Sequence, residues 1–76
     1  MNKAEKIIKL TRLIDENILE LEKLNKEKIV LKTEYSKDPK NIETLNKINA
    51  LEKKYAILYK NSNDLNLQIK KLTENN

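Results

Sequence analysis

Carboxylates and lysines are the reactive side chains that this sequence holds in number. Asp15, Glu16, Glu20 and Glu22 form an acidic stretch, and gathered carboxylates are what a divalent cation or an acid–base pair would need. Their spacing argues against both uses. On a helix of 3.6 residues per turn, Asp15 and Glu20 fall on different sides from Glu22, so a solvated face is the expectation. Glu5 with Lys9, Glu22 with Lys26 and Glu43 with Lys47 are spaced as ordinary i, i+4 supports. No catalytic, cofactor-binding or metal-ligating residue is assigned, and the chain is read as a non-enzyme.

Missing residue types point the same way. There is no histidine and no cysteine, which removes the commonest general base, the commonest metal ligand and any disulfide. There is no glycine either, whereas phosphate-cradling loops and strained nucleophile turns depend on its freedom at positive φ.

Lysine is the other candidate. The net charge is +4 and Arg12 is the only arginine. Lys28, Lys32, Lys37, Lys40 and Lys47 are expected to converge at one end of the molecule, with Lys53 and Lys54 behind them. Such a patch could neutralise phosphates without reading sequence. Glu27, Glu34, Asp38 and Glu43 are interspersed there, and arginine forks and stacking aromatics are nearly missing. The bias toward Lys, Asn, Ile and Glu is also what an AT-rich coding sequence writes into any surface helix. Nucleic-acid binding is therefore the alternative reading.

These side chains need elements to carry them. A charged, Leu/Ile-rich chain poor in aromatics points to long helices. The single proline, Pro39, sits near the middle among turn formers. The expectation is a first helix over about 2–36, a turn at 37–39 with Asp38 as N-cap and Pro39 at the first helical position, and a second helix over about 39–74. A bend is allowed at 60–64, where Lys60-Asn61-Ser62-Asn63-Asp64 has mediocre helix propensity. The whole of 1–76 is then one all-α antiparallel hairpin.

Two apolar patterns run along it. In the first half Ile7-Ile8-Lys9-Leu10 recurs as Ile18-Leu19-Glu20-Leu21, and more weakly from Ile29, a period of 11 that favours straight or slightly right-handed packing. In the second half Ile48, Leu51, Tyr55, Leu58, Ser62, Leu65, Ile69 and Leu72 advance in steps of three and four, a heptad seam. Folding about Asp38-Pro39 sets Leu24 near Leu51, Leu21 near Tyr55 and Ile14 near Ser62. Tyr35, Tyr55 and Tyr59 are expected to cluster loosely toward the turn.

More apolar surface is present than two facing stripes can bury, and a two-helix contact rarely offsets the entropy of ordering such a chain. Self-association is expected, most simply a homodimer forming a four-helix bundle. Leu19, Val30, Ile57 and Tyr59 are the candidates for docking another protein. The start, Met1-Asn2-Lys3-Ala4-Glu5-Lys6 with Glu22-Lys23-Leu24-Asn25, resembles the plasmid RNA-binding Rop hairpins, which are dimeric four-helix bundles. That likeness is a handful of residues in one helix. The second half resembles the helical-hairpin aspartyl-phosphate phosphatases of sporulation control, but Asn49 stands where their key acid would fall.

The leading expectation is a small regulator, adaptor or inhibitor, phage- or mobile-element-encoded, acting through exposed helical faces. A structural coiled-coil spacer is the third reading. No cofactor, small-molecule substrate or membrane partner is expected. With no apolar leader or span visible, the expected location is the cytoplasm.

Overall fold

The computed structural model describes residues 2–74. Helix α1 spans Lys3–Lys37 and α2 spans Ile42–Glu74. They pack against each other as an antiparallel hairpin, a rod of 56 × 15 × 15 Å.

α1 begins with a reciprocal cap. Asn2 Oδ1 accepts from the Glu5 backbone N–H at 2.8 Å, and the Glu5 carboxylate lies 3.5 Å from Asn2 Nδ2. Such a cap satisfies an otherwise orphaned amide and is worth about 1 kcal/mol. The other end closes on Asp38, whose N–H is shared between the carbonyls of Glu34 and Tyr35, both at 3.2 Å.

The reversal corrects the expected boundaries. The turn is 38–41 rather than 37–39, and α2 starts at Ile42 rather than at Pro39. The Asn41 N–H reaches back to the Asp38 carbonyl at 3.1 Å, so Pro39 occupies the second position of a β-turn. Asn41, not Asp38, is the N-cap of α2: its Oδ1 accepts from the Thr44 N–H at 3.1 Å. Asp38 does not begin α2 because its carbonyl accepts from Asn41 in the turn, whereas the Asn41 carbonyl accepts the first helical bond, from the Leu45 N–H. No residue among those described has positive φ, which is how a chain without glycine turns so tightly. The helix is not broken at 60–64, since α2 runs through Ser62 as one element.

Burial corrects the pattern in the first half. The protected positions of α1 are 3, 7, 10, 14, 17, 21, 24, 28, 31 and 35, a heptad seam rather than an 11-residue one. The 11-residue repeat remains in the sequence, but Ile8, Leu19 and Val30, which give it its width, are all exposed. α2 protects 48, 51, 55, 58, 62, 65, 69 and 72 as expected, and in addition Thr44 and Leu45.

The later turn also slides the register by about one helical turn. Counting outward from a reversal centred between Pro39 and Lys40 puts position 24 across from about position 55, and position 17 across from about position 62. Two contacts agree with this register. Lys28 Nζ lies 5.1 Å from the Tyr55 ring centroid, and Lys32 Nζ lies 3.5 Å from Glu52. In the expected register each pair would stand about 4–5 Å further apart along the axis.

The resulting core is thin. Ile14, Leu24 and Ile48 are the buried hydrophobics, joined by the polar Thr44 and Ser62. Ser62 Oγ is buried with no hydrogen-bond partner among the described residues. By contrast the exposed Thr11 and Thr33 hydroxyls donate to the carbonyls of Ile7 and Ile29. A buried, unsatisfied hydroxyl costs about 1–3 kcal/mol.

Candidate interaction surfaces

Helical winding decides which side chains the hairpin leaves outside. Leu19 follows Ile18 out of the seam and is 66% exposed, and Ile57 is 61% exposed. Val30 and Tyr59 are also more than half exposed. The four expected docking residues are thus all on the surface, but no single face holds them. Leu19 and Val30 lie on the back of α1 and Ile57 on the back of α2, while Tyr59 flanks the α2 seam. Ile8, Ile18, Ile29, Ile42 and Leu67 are exposed as well.

Tyr59 has a partner that the sequence pattern does not reveal. Its ring stacks on Tyr55 with centroids 6.4 Å apart and planes 12° from parallel. Lys28 covers Tyr55 in turn, so a lysine, a half-buried tyrosine and an exposed tyrosine form one layer across the seam. A lysine over a ring is worth about 0.5–1 kcal/mol at such a site. Tyr35 is half-buried near the turn, apart from this layer. The i, i+4 spacing of the two tyrosines could have shown the stack; the lysine could not be found without the register.

The five expected tip lysines are not equivalent. Lys37 ends α1 and Lys40 lies in the turn, both exposed. Lys32 is paired with Glu52 at 3.5 Å, and Lys47 with Glu43 at 3.9 Å. Lys28 is about 14 Å back along α1 from Lys37 and turned toward Tyr55. Two lysines therefore sit at the turn itself, and the other three have partners within the chain.

The acidic stretch stays on the surface of α1, and among the described residues no three carboxylates gather as a metal ion would require. Glu43–Lys47 closes as an i, i+4 pair, whereas Glu5–Lys9 and Glu22–Lys26 do not. Lys70–Glu74 is a further pair, at 3.9 Å.

At the end away from the turn, a groove of about 660 Å³ runs between the helices. Leu10, Leu13, Leu65 and Leu72 form its floor, and Lys6, Lys9, Gln68 and Lys71 its rim. Among the described residues no carboxylate lines it. Spacing did not single this groove out, because it needs both helices in place.

No family model, curated protein or solved structure matches this chain. The Rop-like and phosphatase-like outlines therefore assign no family. Among the described residues no helix is long and apolar enough to cross a membrane.

Proposed function

We propose that this hairpin is a non-enzymatic binding module, a small regulator, adaptor or inhibitor that docks another protein and pairs with itself. The observation that carries this reading is the apolar surface outside the seam. A compact 9.0 kDa monomer would expose about 4,900 Å², whereas the hairpin exposes 6015 Å². The excess is about 1,100 Å², similar to what one partner gives up in a stable interface or a little more. Ten large hydrophobics, Tyr59 among them, are each more than a third exposed.

Association as a four-helix bundle would cover part of this surface and strengthen a thin core. The remainder offers aliphatic knobs at helical spacing, suited to a groove or a helix of a partner.

The test is a comparison of proteins retained from a lysate of the source cell. Leu19→Ser and Ile57→Ser should each lose a partner that the parent chain retains, while Lys37→Glu/Lys40→Glu should keep it. The nucleic-acid alternative makes the opposite forecast. RNA or duplex DNA would bind at low salt, and reversing the two turn lysines would abolish it. Retention of an unchanged set of proteins by all variants would remove the docking proposal.

A further inference from the structure

One flank of α1 has a charge order that complements itself. Positions 6, 9, 13, 16 and 20 advance by three and four and each precedes a seam residue, so they lie along one line beside the seam. In order they read Lys6, Lys9, Leu13, Glu16 and Glu20. Turned end for end about Leu13, the line sets lysine against glutamate at every charged position.

All five side chains are exposed, and among the described residues none of the four charges is in an ion pair. The neighbourhood reinforces the division. Residues 3–12 carry Lys3, Lys6, Lys9 and Arg12 against Glu5 alone, while 13–22 hold four acids and no base. Lys6, Lys9 and Leu13 also border the leucine-floored groove, which offers apolar surface next to the charges.

We infer that a second copy of this chain covers this flank, its α1 antiparallel to the first and the two-fold axis at Leu13. Leu13 then meets Leu13 of the second copy, Lys9 meets Glu16, and Lys6 meets Glu20. The contact is isologous and closes as a dimer. It rests on the self-association proposed above and specifies the face used. Leu19 points about a quarter-turn further round α1, so the dimer leaves it available to another protein. Like-sign juxtaposition makes a parallel pairing of the same flanks unfavourable.

The test uses Lys6→Glu/Lys9→Glu and Glu16→Lys/Glu20→Lys, each checked for unchanged helicity by circular dichroism, with sedimentation equilibrium as the readout. Each variant alone replaces four attractive pairs by four repulsive ones, and its dimer should weaken at least about 30-fold. An equimolar mixture restores every pair and should return heterodimer at close to the parent affinity. High salt should weaken the parent dimer and strengthen each variant's self-association. A parent chain that stays monomeric at high micromolar concentration overturns both this inference and the self-association it rests on. A parent dimer that ignores the reversals, or variants that fail to recombine on mixing, overturns this inference alone.

Discussion

Truncating Leu24 to alanine measures how much the seam contributes. Leu24 is 5% exposed and is one of three buried hydrophobics. Buried leucine-to-alanine changes cost about 2–5 kcal/mol depending on how well the site collapses. Here the flanking seam residues Leu21 and Tyr55 are only half-buried, so solvent and side-chain relaxation fill part of the gap. The loss should fall in the lower half of that range, about 2–3 kcal/mol. For a chain of this size each kcal/mol moves Tm by about 4–8 °C, giving a drop of roughly 10–20 °C. The assay is thermal and urea unfolding by circular dichroism at the lowest workable concentration, beside Leu67→Ala as control. Leu67 is exposed on the back of α2 and should cost under about 0.5 kcal/mol. Equal losses for the two variants would refute the seam as the source of hairpin stability.

Other perturbations separate the remaining contributions. Ser62→Ala removes a buried hydroxyl without a partner and should stabilise the chain by about 1–2 kcal/mol, read as a higher urea midpoint at unchanged slope. Asn41→Ala removes the α2 cap and should cost about 1 kcal/mol, whereas Asp38→Ala should cost less, because it caps nothing with its side chain. A double-mutant cycle on Lys32 and Glu52, both about half exposed, should return under about 1 kcal/mol and vanish in molar salt.

The hairpin was legible because Pro39 interrupts two long periodic segments and the second keeps one seam from Ile48 to Leu72. The α1 seam was obscured by a second apolar series. Ile8, Leu19 and Val30 repeat every 11 residues outside the buried line, and periodicity alone cannot tell a protected isoleucine from an exposed one. The turn lies later than residue types alone suggest because Asp38 and Asn41 are both good N-caps by type. Only the hydrogen bonds show that the Asp38 amide belongs to α1. Lys28 was grouped with the tip lysines, yet it covers Tyr55, and the leucine-floored groove was not foreseen at all. The exposed positions fared better: Leu19, Val30, Ile57 and Tyr59 could be placed off the seams from helical winding alone.

A distance measured across the open end tests the hairpin most directly. Spin labels at Ala4→Cys and Lys70→Cys, diluted with unlabelled protein to suppress contacts between chains, report how far apart the two helices end. Neighbouring helices pack about 8–10 Å apart, so with label linkers the distribution should centre near 20–25 Å. A single uninterrupted helix would separate the same labels by roughly 100 Å, and a distribution out there, or one spread over tens of ångströms, would contradict the fold and everything built on it.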